Sequence, residues 1–335
     1  MPVKAWQYIA RRMLLLAFVL LGLTALTFAI SHVIPADPAR AWAGMKAQSS
    51  TIQEIRERYH LNEPLPVQYY LYLSDLLHGN LGYSLVLNTL VADVIVEAFP
   101  ATFELTFVSM IIAVTVGVVL GILSAIKRNR IIDHVTRIFA LTGISMPVFW
   151  LGLLLQILFY YRLGLLPSGG RGATPTHYTG LYLLDSIVSG NLDTFIVDLR
   201  HIILPSIVLS YATIGIITRI TRSSMLEVLR QDYLTTARAK GLPERIVVYK
   251  HALRNALIPT VTVAGLSFAS LLGGAVLTET IFSWPGVGQL AYQSIVSLDF
   301  PLLMGLTLLF GVIMVFSNLI VDLIYVVLDP RIRLE

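Results

Sequence analysis

The sequence contains no cysteine, which excludes disulfides and thiolate metal sites, and its seven histidines are scattered without the spacing of metal ligands. Charge is scarce as well. Only 13% of the 335 residues are Asp, Glu, Lys or Arg, against 56% hydrophobic. A soluble domain carries about 25% charged residues, so this composition excludes an ordinary soluble enzyme and points to an integral membrane protein. No glycine-rich stretch ends in lysine followed by Ser or Thr. Pro167-Ser168-Gly169-Gly170-Arg171-Gly172 therefore reads as a flexible loop, not a phosphate-binding one. Paired carboxylates, nucleophile arrangements and metal clusters are equally absent, leaving the sequence with no catalytic engine of its own.

What the chain does have is long apolar runs. Six stretches free of Asp, Glu, Lys and Arg stand out: Met13 to Ala36, Leu105 to Ile126, Ile138 to Tyr161, His201 to Thr218, Asn255 to Thr278 and Phe300 to Val321. Each reaches the length of about 17–20 helical residues needed to cross a hydrocarbon layer. The expected fold is thus all-α, a polytopic membrane protein with six transmembrane helices. The first run is read as a retained span, not a cleaved signal, because it is longer than a signal core and its exit, Ser31 to Asp37, offers no small-residue cleavage site.

Six spans place both termini on one side, and the basic residues identify that side. Seventeen of the 24 Lys and Arg residues fall in the termini and in the connections after spans two and four, and the other seven lie in the opposite connections. By the positive-inside bias the former are cytoplasmic. The long outward connection from Asp37 to Phe99 is predicted to hold a short helix from Thr51 to Tyr59, capped by Thr51 with Glu54 as the reciprocal carboxylate. It is followed by a surface or interfacial element over Leu65 to Leu73. The last outward connection, Glu279 to Tyr292, is broken by Pro285, Gly286 and Gly288. It fits either a re-entrant element lining a pathway or an interfacial loop anchored by Trp284 and Tyr292. Glu104, Glu279, Asp299 and Asp322 sit near the ends of apolar runs, where structural pairing is favoured over ion coupling.

The stretch from Ser223 to Pro259 organises the rest. It combines helix formers with Arg230, Arg238, Lys240, Arg245, Lys250 and Arg254, and Gly241 and Pro243 divide it. Gly241 suits a left-handed helix end, Pro243 an early helical position, and Glu244 the positive end of the next helix dipole. The result is a helix, a corner and a second helix on the cytoplasmic side. Its basic surface admits three readings: docking of a cytosolic partner, attraction to anionic lipid, or plain positive-inside bias.

Asp232-Tyr233-Leu234-Thr235-Thr236-Ala237-Arg238-Ala239-Lys240-Gly241-Leu242 and His251-Ala252-Leu253-Arg254-Asn255-Ala256-Leu257-Ile258-Pro259 resemble the coupling loop of one transporter family. Asp37-Pro38, Leu61 to Tyr69, His78-Gly79-Asn80-Leu81-Gly82, Pro100 to Leu105, Thr221 to Val228, Glu279 to Gly286 and Asp329-Pro330-Arg331 resemble its other signatures, in its order. The chain is similar over essentially its whole length to the first permease subunit of prokaryotic ABC importers for dipeptides and oligopeptides, the binding-protein-dependent transport family. It departs from the general loop pattern in having Thr235 and Thr236 where that pattern has Glu and Ala, and His251 and Arg254 where it has Ile and Pro.

The resemblance implies an N-terminal segment over residues 1–99, with the first span and an extracytoplasmic connection, and a five-helix permease core over 100–335 with a helix-turn-helix coupling loop at 223–258. It implies ATPase coupling through Thr235, Thr236, Ala237, Arg238, Ala239, Lys240, Gly241, Leu242, Pro243 and Glu244. Signature residues near the pathway would be Glu104, Glu279, Trp284, Pro285 and Gly286. The implied partners are a second homologous permease, two ATP-binding subunits, an extracytoplasmic substrate-binding protein and a peptide substrate, with no nucleic acid. ATP and Mg would be bound by the ATPase subunits and no cofactor by this chain. The implied location is the prokaryotic cytoplasmic membrane. The same architecture also imports nickel chelates, opines, glutathione or oligosaccharides; an ion-coupled secondary transporter is the rival from another class.

Overall fold

The computed structural model describes residues 5–32, 37–43, 48–84, 86–172 and 178–328. The chain is helical almost throughout, and its one small sheet among these residues is an antiparallel pair, β1 (Tyr83–Ser84) with β2 (Thr89–Leu90). Helix α1 (Ala5–His32) leads into a cap of short helices, α2 (Pro38–Ala43), α3 (Ser49–Arg58) and α4 (Leu65–Leu77). The helix expected at Thr51–Tyr59 starts two residues earlier, and Gln48 occupies its cap without a side-chain bond, so Thr51 is inside the helix and caps nothing. The cap folds around Trp42, Ala39 and Ile55, with Trp42 set edge-on to both His32 and Tyr59.

Among the described residues, five helices have the length and apolarity to cross a membrane: Met13–His32 within α1, α5 (Val91–Ile126), α9 (Leu192–Val228), the continuous Glu244–Gly273 and Phe300–Leu319 within α15 (Phe300–Leu328). The sixth is not a straight span. The run expected at Ile138 to Tyr161 is split into α6 (Ile131–Ser145) and α7 (Val148–Leu155), the latter continuing as a π-helical stretch to Arg162, with a bend of 108° between them. Pro147 is the cause. Its ring disfavours a helical conformation at Met146, which is extended (φ −82°, ψ 128°), and Pro147 then caps α7. The helices also overrun their charge-free cores. Helix α9 has 37 residues, about 55 Å at 1.5 Å each, and takes Asp193, Asp198, Arg200, Arg219 and Arg222 into its length.

The central pair is α5 against α9. Gly117 and Gly121 make the approach possible: a Cβ at Gly117 would lie 2.7 Å from Ile217 Cγ2, and one at Gly121 2.6 Å from Thr221 Cβ. Small residues four apart are the usual route to close helix contact when no hydrophobic driving force acts between helices. Ala113, Ile214 and Ile217 fill the contact. Short α8 (Tyr182–Val188) packs on the start of α9. After α9 come α10 (Asp232–Ala239), α11 (Glu244–Ile246), a π-helical stretch Val247–Ala252 and α12 (Leu253–Gly274), then α13 (Val276–Ile281) and α14 (Val287–Ser297) before α15. Asp299 precedes α15, where its carboxylate accepts from Ser84 Oγ and from the Leu302 N–H, joining the β pair to the last helix. The side chain of Asp322 and residues Asp329 to Arg331 lie outside the described residues.

Candidate functional site

Two sites emerge, at opposite ends of α5. The first is the elbow. Only Leu229, Arg230 and Gln231 separate α9 from α10, and Gln231 turns extended (φ −73°, ψ 146°) to start the new helix. Gly241 is left-handed (φ +78°), and its N–H donates to the Arg238 carbonyl at 2.9 Å. Pro243 then caps α11 and Glu244 is its first residue. Arg238 reaches across the corner to Glu244 with Nε to Oε2 at 3.0 Å and Nη2 to Oε1 at 2.8 Å, a two-pronged ion pair. So exposed a pair contributes little stability, at most about 1 kcal/mol. The pair bridges the corner from α10 to the first residue of α11. A second brace is Tyr233, whose hydroxyl accepts from Asn255 Nδ2 at 2.8 Å.

The underside of the elbow is apolar and buried. Leu234 and Ala237 pack with Val247, Val248, Ala252 and Ala256 onto Ile122 and Ala125 of α5 and Met225 of α9. The outer face holds nine of the ten residues the sequence singles out: Thr235, Thr236, Arg238, Ala239, Lys240, Gly241, Leu242, Pro243 and Glu244 are exposed. Ala237 is the exception and belongs to the underside. Sequence reasoning missed the apolar share of the outer face, because charge drew attention away from it. Tyr233, Leu242, Ile246 and Tyr249 are all exposed beside the basic residues.

The second site lies where Pro100 to Leu105 of α5 meet the α13–α14 turn. Glu279 is fully buried. Its Oε1 accepts from Thr102 Oγ1 at 2.6 Å and its Oε2 from the Gln289 N–H at 2.8 Å, at the start of α14. A carboxylate at a helix N-terminus is favoured by the unpaired N–H groups and the dipole there. Thr102 Oγ1 also accepts from the Val287 N–H at 2.9 Å, and Trp284 Nε1 donates to the Ala101 carbonyl at 2.9 Å. Gly286 fits under these groups, while Pro285 is exposed. Trp284 is 1% exposed, so it is a core residue and not the interfacial anchor of the loop reading; Tyr292 is exposed.

Two residues from Thr102, Glu104 holds Arg171. The guanidinium Nη2 is 2.5 Å from Glu104 Oε2 and 2.7 Å from the Gly180 carbonyl, and its carbon stands 3.7 Å from the centre of the Tyr182 ring. Both ionic partners are more than nine-tenths buried. Removing one from such a pair typically costs about 3–5 kcal/mol, because the other charge is left buried. This corrects the expectation of a flexible loop at Pro167 to Gly172. The Gly170 N–H donates to the Phe282 carbonyl at 2.7 Å, and Arg171 is anchored; residues 173–177 lie outside the described residues. Nearby Asp185 on α8 is also buried. Burial opposes its ionisation, yet the Thr179 hydroxyl and the N–H groups of Thr179, Tyr178 and Gly180 outweigh that and hold its carboxyl below the usual range.

Residues 117–334 match the family described as binding-protein-dependent transport system inner membrane component, and residues 5–106 match the N-terminal family of the same transport-system membrane components. A probable D,D-dipeptide transport system permease of Escherichia coli K12 is 48% identical, covering 98% of this chain and 97% of its own length. A dipeptide transport system permease from the same strain is 43% identical over 98% of both chains. An oligopeptide transport system permease of Bacillus subtilis 168 is 39% identical, covering 97% of this chain and 99% of its own. Among solved structures, an inward-facing MetNI methionine ABC transporter chain aligns with a TM-score of 0.53 at 19% identity, covering 70% of this chain and 96% of that one, which speaks for the fold. A multi-helix membrane body with a helical elbow, matched through nearly its full length, makes this chain a member of the binding-protein-dependent transport system inner membrane component family.

Proposed function

We propose that this chain is a translocation subunit of an ATP-driven importer of dipeptides or oligopeptides, and that its elbow receives the push of separate ATPase subunits. The observation that carries the reading is the two-sided elbow. Its apolar underside is packed onto α5 and α9, while its outer face presents Thr235 to Glu244, with Tyr249, to a partner. A purely lipid-facing or solvated loop needs no such rigid backing, whereas a mechanical handle does. Peptides are the cargo named for the three relatives above, at 39–48% identity, and they are the cargo proposed here.

In this reading a second permease completes the pathway, an extracytoplasmic binding protein delivers the peptide, and ATP and Mg reside on the ATPase subunits. The elbow and both termini face the cytoplasm. Glu104 and Glu279 serve structure at the far end of α5, since each already spends its carboxylate on hydrogen bonds.

The absence of cysteine allows a direct test. Lys240→Cys gives this chain a single thiol, at the outer face, and a short bifunctional reagent applied to the complete importer should join it to an ATPase subunit. The same preparation, reconstituted into vesicles, should take up labelled dipeptide only when ATP is supplied on the elbow side. Transport without any such cross-link would end the docking assignment, and uptake by this chain alone under an ion gradient would replace the whole reading.

A further inference from the structure

At the elbow end of the bundle lies a polar knot that no charge count suggests. Asp133, near the start of α6, has no exposed surface. Its Oδ1 accepts from Ser124 Oγ at 2.6 Å and from Arg222 Nε at 2.8 Å. Its Oδ2 accepts from Arg222 Nη2 at 2.9 Å and from the Asn129 N–H at 2.9 Å. Arg222 Nε also lies 3.0 Å from Ser124 Oγ, and Arg137 stands 3.6 Å from the carboxylate. One side chain thus ties together the end of α5, the turn at Asn129, the start of α6 and the last turns of α9.

The knot adjoins the floor on which the elbow rests. Ser124 lies between Ile122 and Ala125 on α5, and Arg222 is one turn before Met225 on α9; those three apolar residues are the surface under Leu234 and Ala237. Only three residues connect Arg222's helix to α10. A displacement of the elbow therefore arrives first at the residues the knot joins. A two-pronged guanidinium–carboxylate pair resists both rotation and sliding, and its value lies more in holding one geometry than in net stability.

We infer that Asp133 and Arg222 are positioning residues for coupling: the pair makes the ends of α5, α6 and α9 move as one body when the elbow is driven. The inference rests on the elbow being the contact for the ATPase subunits. Without the pair, α6 keeps its packing on α9 further along, where a Cβ at Gly215 would stand 2.4 Å from the Ala140 carbonyl oxygen, but its first turn loses the polar tie to the ends of α5 and α9, and the elbow's motion is taken up there.

The test uses the complete importer in vesicles, reading labelled peptide imported and ATP hydrolysed in the same preparation. Asp133→Asn keeps the shape and removes the charge. The double variant Asp133→Leu/Arg222→Met replaces the pair with apolar side chains and guards against the cost of leaving one charge unpaired. Peptide imported per ATP should fall about tenfold in both, within the range by which a residue between two sites alters their coupling. ATP hydrolysis stimulated by the loaded binding protein should persist, and the binding-protein concentration giving half-maximal stimulation should be unchanged. Lys240→Cys should still cross-link in these backgrounds. An unchanged ratio of peptide to ATP in an assembled variant overturns the inference, and so does loss of assembly in both variants, which would make the pair a folding element. If Lys240→Cys fails to cross-link in the otherwise unaltered importer, the docking reading is what has failed.

Discussion

Replacing Gly286 by alanine tests the far cluster with one methyl group. Gly286 is extended (φ −108°, ψ 177°), a conformation open to alanine, so the backbone adds no penalty of its own. The added Cβ would stand 2.3 Å from Thr102 Oγ1, 2.4 Å from Glu279 Oε1 and 2.5 Å from Glu279 Cδ. Neither neighbour is free to retreat. Thr102 Oγ1 is held between Glu279 at 2.6 Å and the Val287 N–H at 2.9 Å, and Glu279 Oε2 is held by the Gln289 N–H at 2.8 Å. Overpacking of this kind costs about 1–3 kcal/mol. Leaving a buried hydrogen-bonding group unsatisfied costs about 1–3 kcal/mol. Together they predict a destabilisation on the order of 2–6 kcal/mol, read as a lowered melting midpoint of the assembled importer in lipid nanodiscs. Glu279→Ala removes the obstructing atoms, so the double variant Glu279→Ala/Gly286→Ala should be more stable than the sum of the two single effects by at least about 1 kcal/mol. A Gly286→Ala protein that melts with the parent, or a cycle that is simply additive, refutes the argument that the methyl group and the carboxylate compete for one place.

Two further outcomes follow from single residues. At Gly241 there is open space around the Cβ position but a φ of +78°, so conformation alone decides. Gly241→Asn should import peptide nearly as the parent does, and Gly241→Val should lose about 1–2 kcal/mol of local stability. Gly241→Pro, which also removes the N–H given to Arg238, should hydrolyse ATP while importing little; normal import by that variant would sink the elbow geometry. At Asp185 the folded-state carboxyl titrates below its unfolded value. Its contribution to stability is therefore fully present above the ordinary aspartate range and is lost as pH falls through the depressed folded value. Asp185→Asn should flatten that acid limb in a melting-midpoint profile; an unaltered limb would show that the hydrogen bonds from residues 178–180 do not favour the ionised form.

The architecture was largely legible because membrane spans are written locally, in runs of apolar residues, and the elbow because glycine and proline mark a corner wherever they stand. Gly241 is left-handed as its chemistry suggests, and Pro243 stands just before the next helix, as its extended cap, with Glu244 the first helical residue. One residue shapes a run without ending it: Pro147, in the middle of a charge-free stretch, bends one expected span into two helices at 108°. The reading failed where charge was taken as a boundary. Asp133 and Arg137 delimit the apolar run at Ile138, but the helix begins at Ile131 because Asp133 is neutralised by Arg222, 89 residues away in sequence. Thr102 and Glu279 are 177 residues apart, and Glu104 and Arg171 are 67 apart. No periodicity in a single chain reports such pairs.

Two of those three contacts start from α5, and the third is tied to it through Ser124. Thr102 and Glu104 lie near one end of α5 and Ser124 near the other, so both polar clusters are fastened to the same helix. From Thr102 to Ser124 at 1.5 Å per residue is about 33 Å, close to the roughly 30 Å of a bilayer's hydrocarbon core. Gly117 and Gly121 bring α9 against this length so closely that the two helices cannot separate or slide without losing the contact along their shared face. A force applied at the elbow therefore has a stiff path. It enters through Ile122, Ala125 and Met225 and runs along α5 to the Thr102–Glu279 cluster, where the turn carrying Trp284 is pinned. If the elbow receives the push, as proposed, the far end follows it through α5, and the residues that fasten α5 at its two ends matter more to that response than any side chain along its middle.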